Sequence, residues 1–181
     1  MDKKQLASMI DHTLLKPAKK GQLDALCNEA VQFGFASVCV NPDNVKYCAK
    51  LLEGTSVKVC TVIGFPLGEN TTATKVFETK NAIKNGATEI DMVINQSWAK
   101  SNAWKPIEKE IAAIKKACKE ITLKVIIETC NLSDKQIVAA CNAAVAAGAQ
   151  FVKTSTGFAS GGATVEAVRI MAETVHPHGL K

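Results

Sequence analysis

Short apolar runs alternate with amphipathic segments along most of the chain. The apolar runs are almost uninterrupted by polar residues, which is typical of parallel strands that are covered by helices on their faces. The amphipathic segments predict helices at 2–10, 19–33, 42–54, 71–85, 103–119, 133–148 and 164–174. The apolar runs predict strands at 10–15, 36–40, 57–63, 88–95, 123–129 and around residue 153. This alternation indicates an α/β fold.

Two architectures have this order of elements, the doubly wound sheet and the (β/α)8 barrel. A doubly wound sheet usually carries phosphate-binding glycines after its first strand, and the first strand here is followed by none. A barrel places its functional residues near the carboxyl ends of several strands. Residues that fit this placement are Asp11, Cys39, Asp91, Glu128 and Lys153. The sequence therefore favours the barrel.

Lys153 lies in the apolar run that begins at Phe151. A lysine in such a strand lies either on a solvent-exposed face or at a place that requires a desolvated amine. Burial disfavours the ammonium form, so more of the amine is the neutral nucleophile that adds to a carbonyl group. The sequence thus predicts Schiff-base chemistry at Lys153, with an exposed lysine as the alternative.

Asp91 is an acid in the middle of another apolar run, 88–95. In a barrel, alternate strands contribute side chains to the same interior layer, so the fourth and sixth strands can bring Asp91 and Lys153 together. The acid would then hold a second cation or relay a proton through a water molecule. The alternative is a buried ion pair that only stabilises the fold.

Composition narrows the class of protein. The 181 residues are 47% hydrophobic and 22% charged, as expected for a single globular domain. The net charge is +5, but Arg169 is the single arginine and there is no basic cluster, so we expect no nucleic-acid partner. No apolar run is long enough to span a membrane and no signal sequence is visible, so we expect a cytoplasmic protein without a membrane partner.

The seven cysteines form no CxxC pairs, and we expect them to be reduced and mostly buried. Together with three histidines they give no ligand spacing for a metal ion. Nucleotide-binding glycine motifs are also missing from the sequence. We therefore expect neither a metal nor a cofactor.

Five motifs, in order and with similar spacing, resemble those of the deoxyribose-phosphate aldolase family. They are Ile10–Pro17, Val38–Pro42, Val62–Gly68, Glu89–Asn95 and Phe151–Phe158. The resemblance implies a (β/α)8 TIM barrel and a class I aldolase that reversibly cleaves 2-deoxy-D-ribose 5-phosphate into acetaldehyde and D-glyceraldehyde 3-phosphate. It also implies that Lys153 forms the Schiff base and that Asp91 belongs to the proton relay.

We expect five further residues to bind the substrate. Asp11, Thr13 and Cys39 match positions near the active site of the family that the chain resembles. Thr156 and Gly157 supply a hydroxyl group and a backbone turn at the end of the sixth strand. For Cys39, a packed cysteine is the alternative to a reactive thiol.

After Val175 the chain departs from the family pattern. Family members continue through a seventh strand with a second lysine and through loops that hold the substrate phosphate, and Lys181 matches that lysine only with a gap in the spacing. We therefore expect residues 1–181 to form one barrel domain that is truncated at the C-terminus and has weak activity. Its open strand edges would require a partner, so we expect a homo-oligomer, a dimer or larger. The alternatives are a non-catalytic truncated barrel that self-associates and another Schiff-base sugar-phosphate lyase.

Overall fold

The computed structural model describes residues 1–176 and the backbone of residues 179–180. The strands are β1 (Asp11–Leu14), β2 (Ser37–Val40), β3 (Lys58–Ile63), β4 (Glu89–Val93), β5 (Thr122–Ile126), β6 (Phe151–Lys153) and β7 (Gly179–Leu180). The helices are α1 (Lys3–Ala7), α2 (Lys20–Phe33), α3 (Val45–Leu51), α4 (Thr72–Lys84), α5 (Gln96–Lys100), α6 (Trp104–Cys118), α7 (Asp134–Ala146) and α8 (Val165–Val175). None of the helices in the described part of the chain combines the length and the apolarity that a membrane span requires.

The strands follow one another in a single sheet, in the order β1-β2-β3-β4-β5-β6-β7. The pairs β1–β2, β2–β3, β5–β6 and β6–β7 are parallel. Parallel neighbours need a crossover connection between them, and helices supply these connections. The α/β fold that the alternating pattern predicts is therefore confirmed.

The chain divides into two compact units. The first comprises Met1–Val62 together with Asn81–Ile90. In this unit α2 packs on β1 and β2, and it buries Leu23, Leu26 and Ala30 at helical spacing. All four residues of β2 are buried, which explains why this strand reads as a continuous apolar run.

The second unit comprises Ile63–Lys80 together with Asp91–Lys181. Here α7 packs against both α6 and α8, and α6 buries Ile107, Ile111 and Ile114. The expected single domain over residues 1–181 stays a prediction.

The cysteines have the state that their sequence spacing predicts. All seven are free, and all except Cys130 are buried. Burial raises the pKa of the Cys118 thiol to about 11 and that of Cys141 to about 12. The neutral thiols of these two residues therefore pack as small apolar groups.

Two predicted strands end earlier than the apolar pattern indicates. β4 stops at Val93 because the side-chain oxygen of Asn95 accepts a hydrogen bond from the amide of Trp98 (2.9 Å) and caps α5, a helix that the sequence analysis missed. β5 stops at Ile126, and Glu128 adopts a left-handed backbone conformation with φ 58°. Hydrophobicity continues past both ends, so the capping and turn geometry decide where each strand ends.

The segment after α8, which the sequence predicts only as a tail, contains β7. Gly179 and Leu180 pair in parallel with Phe151 and Val152 of β6. Lys181, the proposed second lysine, lies outside the described residues.

Candidate active site

Lys153 and Asp91 lie together in the second unit. Lys153 is the last residue of β6 and Asp91 is the central residue of β4. The Lys153 Nζ atom lies 2.5 Å from Asp91 Oδ2, and the side chains of Lys153 and Asp91 are 20% and 0% exposed. The structure thus brings the amine of a partly exposed side chain against a fully buried carboxylate. The roles assigned to the two residues stay predictions.

Lys124 is a third charged residue at this place, and the sequence analysis missed it. It lies in β5, its Nζ atom is 3.1 Å from Asp91 Oδ1, and its side chain is 2% exposed. Two amines therefore share one buried carboxylate. The sequence carries a signal for Lys124, because a lysine in the apolar run 122–126 is the same anomaly that points to Lys153.

The segment that follows Lys153 is anchored to the chain that follows β5. The amide of Ile127 donates to the carbonyl oxygen of Lys153 (3.0 Å), and the amide of Thr129 donates to that of Thr154 (2.9 Å). These two hydrogen bonds continue the β5–β6 ladder beyond the assigned strands. They fix the backbone at and immediately after the predicted Schiff-base lysine.

Thr156 and Gly157, which we expect to bind the substrate, differ in accessibility. Thr156 is buried, and its hydroxyl and amide groups donate hydrogen bonds to the Glu128 carboxylate. Gly157 is exposed and has φ 81°, a value that favours glycine because a side chain would be strained there. The Gly157 backbone is therefore accessible to solvent, whereas the Thr156 side chain is already engaged in hydrogen bonds, and their contact with a substrate stays a prediction.

Asp11, Thr13 and Cys39, the other predicted substrate-binding residues, belong to the first unit. Asp11 Oδ1 accepts a hydrogen bond from Ser37 Oγ (2.8 Å), and the exposed Thr13 donates from Oγ1 to the Asp11 carbonyl oxygen (2.8 Å). Cys39 is fully buried in β2 and is in register with Thr13. The structure brings these three residues together on adjacent strands, and their contact with a substrate stays a prediction.

A second buried lysine–acid cluster lies between helices of the second unit, which also holds Lys153 and Asp91. Lys75 of α4 places its Nζ atom 2.8 Å from Glu110 Oε2 of α6, and both side chains are 0% exposed. Lys75 also donates to the carbonyl oxygen of Val93 (2.9 Å). Burial lowers the pKa of Lys75 and raises the pKa of Glu110, although the attraction between the two charges opposes both shifts. The sequence did not single out this pair, because the helices that carry Lys75 and Glu110 also carry exposed lysines and partly exposed acids.

Comparison with known proteins identifies the family. The model of the DeoC/LacD family aldolases matches residues 5–181. A deoxyribose-phosphate aldolase of Clostridium perfringens (strain SM101 / Type A) is 58% identical over 98% of this chain and 80% of its own length. Deoxyribose-phosphate aldolase 1 of Vibrio vulnificus (strain YJ016) is 59% identical over 92% of this chain and 76% of its own. The chain therefore belongs to the DeoC/LacD aldolase family.

Solved structures agree with this assignment. A tetrameric deoxyribose-phosphate aldolase from Aeropyrum pernix is 33% identical, with a TM-score of 0.91 over 99% of this chain and 77% of that chain. An aldolase called QR15 is 38% identical, with a TM-score of 0.90 over 94% of this chain and 77% of that chain. The backbone fold is thus that of aldolases of this family.

Proposed function

We propose that the chain is a class I aldolase that reversibly cleaves 2-deoxy-D-ribose 5-phosphate into acetaldehyde and D-glyceraldehyde 3-phosphate. The observation that carries this proposal is the contact between Lys153, which is partly exposed, and the buried Asp91, in a member of this aldolase family. An amine that forms a Schiff base must be reachable by the substrate and must be able to lose its proton. Lys153 is reachable, and the carboxylate beside it can take part in moving the proton.

The reaction begins when the neutral Nζ atom of Lys153 attacks C1 of the open-chain sugar. The resulting carbinolamine loses water and becomes a protonated imine, which accepts electrons in the next step. The C3 hydroxyl group gives up its proton and becomes the carbonyl group of glyceraldehyde 3-phosphate while the bond between C2 and C3 breaks. The electron pair of that bond forms an enamine on the two carbons that stay attached to Lys153.

Asp91 moves protons in this scheme, through a water molecule. The proton that leaves the C3 hydroxyl group is balanced by the proton that C2 of the enamine takes up later, so one acid–base group serves both steps. Hydrolysis of the resulting imine releases acetaldehyde and regenerates the amine. Lys124 adds a second positive charge beside Asp91, and its repulsion opposes the attraction by which the Asp91 carboxylate favours the ammonium form of Lys153.

The finer features of the proposal come from the family. We infer a (β/α)8 barrel, which the parallel sheet and the intervening helices support. We expect Asp11, Thr13, Cys39, Thr156 and Gly157 to contact the substrate. We also expect a homo-oligomer, since a relative is described as tetrameric. The reaction as written needs no cofactor, and the cytoplasmic location stays a prediction.

Reductive trapping tests the proposal. Borohydride is added to the protein with acetaldehyde or with the sugar phosphate, and the modified peptide is mapped by mass spectrometry. We expect an adduct at Lys153, and an unmodified Lys124 serves as an internal control because its side chain is nearly inaccessible. An adduct at another lysine, or none at all, would reject the proposal. A panel of other sugar phosphates then separates this substrate from those of other Schiff-base lyases.

A further inference from the structure

Glu128 is a buried acid that the reaction scheme above does not use. Glu128 is 2% exposed and lies between the end of β5 and the turn at Thr129–Asn131. Within the described residues its carboxylate oxygens contact hydrogen-bond donors of Thr156 and the thiol of Cys130 (3.9 Å), and no cation lies within salt-bridge distance. A buried carboxylate is costly without a cation, so its donors must compensate for the lost hydration.

The backbone at Glu128 is strained. Its φ of 58° and ψ of 67° lie in the left-handed region, which costs a residue with a side chain about 1–2 kcal/mol. On either side of it, Ile127 donates its amide to Lys153, the last residue of β6, and Thr129 donates its amide to Thr154. The strained residue therefore sits inside the continued ladder and directs its carboxylate to the segment after Lys153. Such strain persists only where the surrounding structure enforces it, and it is often found at functional sites.

The Thr156 hydroxyl group links Glu128 to the residues that follow it in the chain. Its hydroxyl group donates to Glu128 and accepts a hydrogen bond from the amide of Phe158 (3.1 Å). The Phe158 ring in turn packs edge-on against Phe65, with ring centroids 5.2 Å apart. The exposed Gly157 lies between the two anchored residues. Glu128 thus holds both ends of the turn that contains Gly157.

We propose that Glu128 is a positioning residue that fixes the Thr156–Phe158 turn so that it can bind the part of the substrate beyond the reacting carbonyl group. This inference rests on the proposed function. Lys153 bonds to C1, and the turn begins three residues further along the chain, beyond the carboxyl end of β6. We expect a phosphorylated five-carbon sugar bound at Lys153 to reach this turn, whereas acetaldehyde consists only of C1 and C2.

An experiment that compares the sugar phosphate with acetaldehyde tests this inference. Glu128→Ala removes the acceptor for the amide and hydroxyl groups of Thr156. We expect KM for the sugar phosphate to rise about 10- to 100-fold, as for the loss of a hydrogen bond to a charged group, with a smaller change in kcat. The rate of borohydride trapping of acetaldehyde at Lys153 should stay within about twofold of the wild-type rate, since neither reacting group is altered. Glu128→Gln keeps one acceptor oxygen and should give an intermediate KM.

Variants of Thr156 test whether Glu128 affects KM through its hydrogen bonds with Thr156. Thr156→Val should raise KM as Glu128→Ala does, and Thr156→Ser should restore most of the affinity because it keeps the hydroxyl group. If Glu128 acts only through Thr156, the Glu128→Ala/Thr156→Val double variant should be no worse than the more affected single variant. Thermal unfolding shows whether each variant is folded. If Glu128→Ala does not fold, the two single variants Glu128→Gln and Thr156→Val are used for the test instead.

Three results would overturn the inference. They are an unchanged KM in the Glu128 variants, effects of Glu128 and Thr156 that add in the double variant, and a loss of acetaldehyde trapping parallel to the loss of affinity for the sugar phosphate. Failure of the proposed function is a different result, because the wild-type protein would then form no adduct at Lys153.

Discussion

Two buried lysine–acid clusters in the second unit differ in exposure and in charge balance. In the pair of Lys75 and Glu110, one amine meets one carboxylate and neither side chain is exposed. In the other cluster, Lys153 and Lys124 share the Asp91 carboxylate, and Lys153 is 20% exposed. The first cluster is closed to solvent and pairs one amine with one carboxylate, whereas in the second two amines contact Asp91 and the Lys153 side chain is partly exposed.

This difference separates a structural ion pair from a reactive site. A sealed, balanced pair can only contribute to stability, because no reactant reaches it. A partly exposed amine lets a carbonyl compound approach it, and a second cation nearby opposes the retention of its proton. The sequence analysis left open whether Asp91 and Lys153 form an ion pair that only stabilises the fold, and the exposure of Lys153 favours the reactive alternative.

The largest expected effect is on activity, at Lys153. Lys153→Met should abolish borohydride trapping and lower kcat/KM for the sugar phosphate by about 10⁴-fold or more, since removal of a covalent nucleophile leaves only binding and electrostatic contributions. A coupled assay of glyceraldehyde 3-phosphate release measures it. Lys58→Met, at an exposed lysine of β3, is the control and should keep wild-type activity. Residual trapping in Lys153→Met would place the reactive amine elsewhere.

Asp91→Asn keeps the size of the side chain and removes its charge. We expect kcat to fall about 10²- to 10⁴-fold because proton transfer loses its acid–base group. An adduct should still form at Lys153, but more slowly, and steady-state kinetics together with trapping rates measure both quantities. Wild-type kinetics combined with a lower melting temperature would instead make Asp91 a structural residue like Glu110.

The sealed pair should respond in stability rather than in activity. At a pH where Glu110 is ionised, Lys75→Met leaves its carboxylate buried without a cation, which typically costs about 3–5 kcal/mol. Urea denaturation measures the loss, and kcat of the folded fraction should stay close to the wild-type value. Lys105→Met is a matched control, since its exposed ion pair with Glu108 on α6 is worth about 1 kcal/mol or less. Equal losses of unfolding free energy in the two variants would mean that the buried ion pair contributes no more to stability than the exposed one.

Lys124 should affect the pH at which Lys153 loses its proton, without itself reacting with the substrate. Lys124→Met removes one positive charge beside Asp91, so Lys153 should keep its proton to higher pH. The acidic limb of the pH profile of kcat/KM should move upward by about one pH unit, which corresponds to ~1.4 kcal/mol. Lys124→Arg keeps the charge and should leave the limb in place. A shift in the opposite direction would mean that Lys124 does not act through its charge.

The sequence predicts the order of strands and helices and the pairing of Lys153 with Asp91, because both depend on hydrophobic periodicity and on charges in apolar runs. It did not reveal Lys75 and Glu110, whose helices also carry exposed lysines and acids of the same kind. The sequence placed Glu128 near the carboxyl end of its strand, but it did not reveal the left-handed backbone there, which has no signal in composition. The burial of Lys75 and Glu110 and the backbone strain at Glu128 depend on tertiary packing. The hydrophobic periodicity of the sequence contains no information about this packing.

The smallest expected effect is a pH dependence of stability from the sealed pair. Burial raises the pKa of Glu110, so the folded chain holds this proton more tightly than the unfolded chain does. Unfolding then releases a proton above the ordinary glutamate pKa of 4.5, and the free energy of unfolding decreases as the pH rises through this range. The contribution is fully present below pH 4.5 and is lost as the pH passes the raised pKa.

Lys75→Met/Glu110→Gln removes both charges and keeps an acceptor for the Thr72 hydroxyl group, which bonds Glu110 in the wild type (3.3 Å). As the pH rises above 4.5, the double variant should gain stability on the wild type in urea denaturation, because only the wild type releases the Glu110 proton on unfolding. The lowered pKa of Lys75 acts in the opposite direction, because unfolding lets this amine take up a proton at the pH values where it is neutral in the folded chain. A difference that stays constant with pH would mean that Glu110 is ionised throughout, so that attraction to Lys75 outweighs the cost of burying the pair.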